Sequence, residues 1–194
     1  TSDDTDAAER VKIQYGTSMC YPVSSMGSHV SVVPNHQLNR KTPLHTRANV
    51  AYFGTFGYEL DLNKLSDEEI SEVKQQITFM KEYRELIQFG TFYRLKSPFE
   101  GNETVWMTVS EDKKTALVFW YRERNVVNAD FTRVRLQGLD PDLIYRNEYN
   151  ETENYGDELM NLGLLTTDCT AGEPTSEDEP CTDYESRIYV LTAK

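Results

Sequence analysis

The chain opens TSDDTDAAER, which crowds Asp3, Asp4 and Asp6 into one short run. Carboxylates this close together suit four kinds of chemistry: a solvated acidic terminus, a cation loop, a helix cap, or one half of a catalytic acid/base pair. A calcium loop needs alternating ligands and a distal Glu, and DDTD followed by an amphipathic segment lacks that spacing. Asp6 with Glu9 three positions later reads as a capping box, so capping explains part of the cluster.

The other reactive side chains are dispersed. His29, His36 and His45 are scattered, and a metal site needs converging ligands with supporting partners. Loop histidines with ordinary hydrogen bonds are the simpler reading. Ser25 lies in VSSMG, which is not the G-x-S-x-G turn of a serine nucleophile. Cys20, Cys169 and Cys181 show no CxxC spacing, so no zinc site is expected. Cys20 precedes an expected strand and reads as a small buried hydrophobe. Cys169 and Cys181 bracket a Pro/Gly/Ser/acid loop, where either a disulfide or two free thiols fit. Asn102-Glu103-Thr104 and Asn150-Glu151-Thr152 match the glycosylation triplet, which also arises by chance. The compartment is open between cytoplasm and export. Trp106, Trp120 and Tyr121 could stack on sugar rings, but alternating strand positions favour a core role.

Composition narrows the partners. The 194 residues are 38% hydrophobic, enough for one or two cores. Mean hydropathy is −0.62, and no apolar run is long enough for a membrane-spanning helix. The net charge is −12 with no basic stripe to displace counterions, which argues against nucleic acid. The stretch EPTSEDEPCTDYE is dense in acids and holds no base. Such a surface suits neutral ligands such as sugars better than phosphates.

Several elements must position these groups. Ala7 or Ala8, Val11, Tyr15 and Met19 recur at helical spacing. A strand is expected near 20–26, then a polar loop over 34–46, a short helix in LHTRANVAYFG ended by Gly54, and a strand in TFGYELDL. Residues 66–89 read as a long helix. Ser66 and Glu69 form its capping box, Ile70, Val73, Ile77, Met80 and Ile87 its buried stripe, and Gly90 its stop. Beyond Gly90 the runs FYRLKSPF, TVWMTVSED, TALVFWYRER, RVRLQGLD, LIYRNEY, DELMNLGL and RIYVLTAK all read as strands of an antiparallel sheet or sandwich. The chain therefore divides near residue 90 into an alternating α/β part and an all-β part. The strands of the first part cannot close a parallel sheet by themselves, so this half reads as the end of something larger.

The runs KIQYGTS, SSMGSHVS, PNHQ, TPL, TR and FGTFGYELDL, with YRELIQFGTFYRLKSPFEGN and YGDELMNLGL further on, resemble family-36 glycoside hydrolases, the α-galactosidases. The resemblance covers about 1–164 and the final strand; 165–186 departs from it and reads as an acidic insertion. It implies that 1–90 is the C-terminal part of a (β/α)8 TIM barrel and that 91–194 is a C-terminal antiparallel β-sandwich domain. It implies a retaining α-galactosidase acting on terminal α-galactosides such as melibiose or raffinose, with no metal or organic cofactor. Its partners would be the rest of the catalytic barrel and further copies of itself, commonly as a tetramer. The family's acid/base follows Ser in a Trp-x-Ser-Asp motif, which falls on Ser2-Asp3 and makes Asp3 the expected catalytic residue. The family's nucleophile belongs to an earlier barrel strand, so the chain alone is expected to be inert. Asp4 and Asp6 then either orient Asp3, bind galactose hydroxyls, or cap the helix. Ser25, Met26 and His29, following a predicted barrel strand, are the candidate sugar-binding residues. Within the family, α-N-acetylgalactosaminidase or raffinose-synthase-like transfer are alternatives. Outside it, the alternative is a non-catalytic carbohydrate-binding or interaction module built on the β half.

Overall fold

A computed structural model describes residues 2–126, 131–166 and 183–194. The chain divides into two compact units, Thr1–Phe89 and Gly90–Lys194.

The first unit alternates helix and strand: α1 (Ala7–Thr17), β1 (Gly27–Ser31), α2 (Leu44–Ala51), β2 (Thr55–Glu59) and α3 (Asp67–Phe89). β1 and β2 pair in parallel, from Gly27 opposite Thr55 to Ser31 opposite Glu59. A parallel pair needs a crossover, and α2 supplies it. Side chains alternate across a strand. Ser28, Phe56 and Tyr58 point toward the helices, where Ser28 Oγ donates to Gln14 Oε1 of α1, Phe56 stacks on Tyr52 and Tyr58 reaches Gln76 of α3. His29, Gly57 and Glu59 occupy the opposite face. The segment between α2 and β2 approaches β1 closely at Gly54, where a Cβ would lie 2.6 Å from Ser28 Cβ.

The strand expected at 20–26 is displaced. Residues Val23–Ser25 form a 3-10 turn, closed by Ser25 Oγ donating to Pro22 O, and the strand begins at Gly27. Val23 and Met26 are buried as anchors of this turn, and their apolar character is what suggested a strand. β1 itself, GSHVS, is polar because Ser28 finds a buried partner. Cys20, expected to be buried, is exposed and free.

α3 begins as its sequence predicts. Ser66 N donates to Glu69 Oε2 at 2.9 Å, and Glu69 N donates to Ser66 Oγ at 3.2 Å, closing the box in both directions. Val73, Met80 and Ile87 of the stripe are buried together with Gln76, while Ile70 and Ile77 are half-buried.

The second unit is built on a six-stranded antiparallel sheet in the order β3-β4-β5-β10-β7-β8. These strands are β3 (Thr91–Lys96), β4 (Glu103–Val109), β5 (Thr115–Arg122), β7 (Ile144–Asn147), β8 (Glu153–Tyr155) and β10 (Glu185–Ala193). The last strand is thus central, pairing with β5 over eight positions. A two-stranded ribbon joins β6 (Arg133–Val134) to β9 (Leu164–Leu165). Val105, Met107, Val118, Trp120, Tyr189 and Leu191 on one sheet face pack with Val134, Leu136 and Leu164 of the ribbon region. On the other face Trp106 stacks on Phe119 with ring centroids 4.3 Å apart. Trp106, Trp120 and Tyr121 are all buried, so none presents a ring to a sugar.

Two runs expected as strands are otherwise. DELMNLGL forms the helix α4 (Gly156–Asn161) before β9, and only Arg133–Val134 of RVRLQGLD is extended. Asp157 and Glu158 suit the positive start of α4, and Leu159 anchors it in the core. Gly156 permits the turn into this helix, because a Cβ there would meet Asp140 O at 1.9 Å. Cys169, Cys181 and most of the acidic stretch 165–186 lie outside the described residues.

Candidate active site

Ligands of parallel α/β sheets gather beyond the carboxyl ends of the strands. In this chain those ends are Ser31 and Glu59. The loop that leaves β1 is stitched to β2 at once, Val32 N donating to Glu59 O at 3.2 Å. It then folds back on itself. Asn35 N donates to Arg40 O at 2.9 Å, and Asn35 Oδ1 accepts from Gln37 N and Leu38 N, both at 2.9 Å.

This loop grips the opening acidic run. Asn35 Nδ2 donates to Thr5 Oγ1 at 3.2 Å, and the Arg40 guanidinium forms an ion pair with Asp6 and lies 3.6 Å from Glu9 Oε1. The Ser2–Asp6 run therefore lies with the loop that leaves the carboxyl end of β1.

Within the run, side chains fold onto backbone. Ser2 Oγ accepts from Asp4 N at 3.1 Å, Asp4 Oδ1 from Asp6 N at 2.9 Å, and Asp6 Oδ1 from Glu9 N at 3.1 Å. Asp6 is the N-cap of α1 and is only 3% exposed. Asp3 is the exception. Its side chain is exposed, and among the described residues no hydrogen bond or ion pair engages it. The arrangement thus fixes a backbone and leaves one carboxyl uncommitted.

The remaining expected residues are not brought to this place together. Ser25 and Met26 precede β1 and so sit at its amino end; Ser25 is exposed, and Met26 is buried. His29 is mid-strand and partly exposed, with Nδ1 3.7 Å from Glu59 Oε2. His29 also leans over Gly57, where a Cβ would approach its ring at 3.0 Å. Among the described residues no three His, Cys, Asp or Glu side chains converge as a metal site would require.

Behind the strand ends lies a buried polar layer. Arg47 of α2 donates to Ser31 O at 2.6 Å. Burial lowers the pKa of its guanidinium, and Glu69 and Glu72 oppose that shift. Tyr58 OH donates to Gln76 Oε1 at 2.8 Å, and Gln76 Nε2 donates to Glu72 Oε1 at 2.7 Å. Burial, reinforced by Glu72, pushes the Tyr58 hydroxyl well above its ordinary value. These groups hold α2 and α3 to the strand ends. Sequence reasoning missed Asn35, Arg40 and Arg47. The only local signal was the loop PNHQLNR, whose two turn-forming asparagines precede its arginine.

Comparison with known proteins agrees in both units. Residues 1–90 match the family model described as Melibiase, and residues 103–191 match the Glycosyl hydrolase family 36 C-terminal domain. The chain is 54% identical over 164 residues to alpha-galactosidase AgaA of Geobacillus stearothermophilus, an alignment covering 84% of this chain and 22% of that protein. Against alpha-galactosidase 1 of Pediococcus pentosaceus it is 46% identical over 192 residues, 99% of this chain and 25% of that protein. The crystal structure of the Geobacillus enzyme superposes with a TM-score of 0.91 at 48% identity, covering all of this chain and 25% of that one. The alpha-galactosidase from Lactobacillus brevis gives 0.93 at 46% identity, covering 100% of this chain and 26% of that structure. The chain thus spans about a quarter of the length of the relatives it matches. With both units matched in sequence and in backbone, the chain belongs to glycoside hydrolase family 36.

Proposed function

We propose that this chain supplies the acid/base portion of a retaining α-galactosidase. In this reading 1–90 is the last part of a (β/α)8 barrel, and 91–194 is a C-terminal β-sandwich domain carrying an acidic insertion near 165–186. The substrates are terminal α-galactosides, and the working form is a homo-oligomer. Variants of the Geobacillus relative have been solved with raffinose and with stachyose, which supports this substrate class.

One observation carries the proposal. In Ser2–Asp6 the neighbouring side chains hold the backbone, while Asp3 alone keeps a free carboxyl at the carboxyl end of the strand pair. A carboxylate from another barrel strand attacks the anomeric carbon as Asp3 protonates the departing glycosidic oxygen. The ionised Asp3 then removes a proton from the water that releases galactose. His29 and Glu59, on the strand face away from the helices, line the inner side of the barrel. Ser25 and Met26 lie at the other strand end.

The test is Asp3→Asn in the full-length protein, assayed on raffinose. A positioned general acid contributes about 10²- to 10⁴-fold, so kcat/KM should drop on that order. Turnover within a few-fold of wild type would remove Asp3 from the mechanism.

A further inference from the structure

Among the described residues nothing anchors the Asp3 carboxyl, so its place is set by its neighbours. We propose that Arg40 and Asn35 are positioning residues for the acid/base step, acting through Asp6 and Thr5 on the backbone that carries Asp3. The inference rests on the role proposed above for Asp3.

The contacts form a strut from the strand ends to the acidic run. Its root is the Val32 bond to Glu59 O in β2. Its body is the self-bonded turn of residues 35–40, in which Asn39 takes a positive φ of 54° and donates to Asn35 O at 2.8 Å. Asparagine tolerates that left-handed conformation better than most residues. Its tips are the side chains of Asn35, on Thr5, and Arg40, on Asp6 and Glu9.

Asp6 is where these constraints meet. Its carboxylate caps α1 through Glu9 N, its amide is held by Asp4, and its charge is matched by Arg40. A carboxylate this buried needs a charge partner, and losing that partner leaves it uncompensated. Losing either member of the pair releases the run from the loop, and Asp3 shifts with it. A displacement of about 1 Å in a reacting group is worth on the order of 10²-fold in rate.

Deleting the strut should therefore mimic weak acid catalysis rather than weak folding. The discriminating measurement compares two substrates in the full-length protein. Raffinose has a poor leaving group that must be protonated, whereas a dinitrophenyl α-galactoside departs with little help. Asp6→Asn removes the charge but keeps a side-chain oxygen that can cap α1, since Asn and Asp cap about equally well. Arg40→Gln removes the other partner. For each, kcat/KM on raffinose should drop by about 30- to 100-fold and on the dinitrophenyl substrate by no more than about 3-fold. Arg40→Lys, which keeps the charge, should recover most of the raffinose rate.

Equal losses on both substrates, or no loss on either, overturn the proposal. Asp3→Asn in the same assay separates the two readings. If Asp3→Asn shows the leaving-group split and neither strut variant does, the strut is structural only. If Asp3→Asn shows none, the acid assignment itself fails. Should Arg40→Gln not fold, Asp6→Asn still decides the matter.

Discussion

Gln14 shows how a single buried residue can tie several elements together. It lies on α1, the helix that Asp6 caps, and it is buried. Its Nε2 donates to Val50 O and Phe53 O at 2.9 and 3.1 Å, and its Oε1 accepts from Ser28 Oγ at 2.9 Å. One amide therefore binds α1 to β1 and to the end of α2. Gln14→Ala would leave two carbonyls and a hydroxyl without these partners, a loss on the order of 2 kcal/mol. Denaturant unfolding of the full-length protein should show its midpoint falling accordingly, and Gln14→Glu should fare no better, because a buried carboxylate would face the two carbonyls with no hydrogen to donate. At this scale the sequence was half legible. Asp6 and Glu9 announced a cap through their spacing, and Asp6 does cap Glu9 N. Nothing in the spacing announced that Arg40, thirty-four positions away, would neutralise that cap. Long-range pairing depends on how the loop after β1 closes, and no local pattern encodes that.

Elements were legible where their ends carry their own chemistry. α3 has a reciprocal cap between Ser66 and Glu69, acids in its first turn and a stripe at helical spacing, and all of these belong to contiguous residues. The cap is also where this helix should fail first. Ser66→Ala removes the oxygen that accepts from Glu69 N, a change worth about 1 kcal/mol. Hydrogen exchange at the Glu69 amide should then quicken about fivefold, with exchange near Met80, in the helix middle, unaltered. Elements were misread where burial came from tertiary contact. β1 is a polar strand because Ser28 bonds Gln14 and Ser31 O receives Arg47. The Val23–Met26 stretch looked like the strand because its apolar residues anchor a turn instead. In DELMNLGL the apolar residues suited either period, and the close approach at Gly156 with the acids behind it decided for helix.

At the scale of the whole molecule, the proposed reaction needs a second carboxylate. Asp4 and Asp6 are committed to backbone amides, Glu9 lies beside Arg40 and Lys12, and Glu59 faces His29. None of these is free to stand across a scissile bond from Asp3. On the proposed function the nucleophile comes from another barrel strand, and the chain on its own should then not hydrolyse raffinose at any pH. The full-length protein should, and the stereochemistry of its product reports how far apart its two carboxylates stand. A pair about 5–5.5 Å apart leaves no room for water between nucleophile and sugar, so a glycosyl-enzyme forms and water displaces it from the face that the leaving group vacated. A pair about 6.5–9.5 Å apart admits that water and inverts the centre. Proton NMR during the first minutes of hydrolysis, before mutarotation, should show α-galactose appearing first. β-Galactose appearing first would mean that the partner carboxylate activates water, and Asp3 would then act as an acid only, with no second step in which it serves as base.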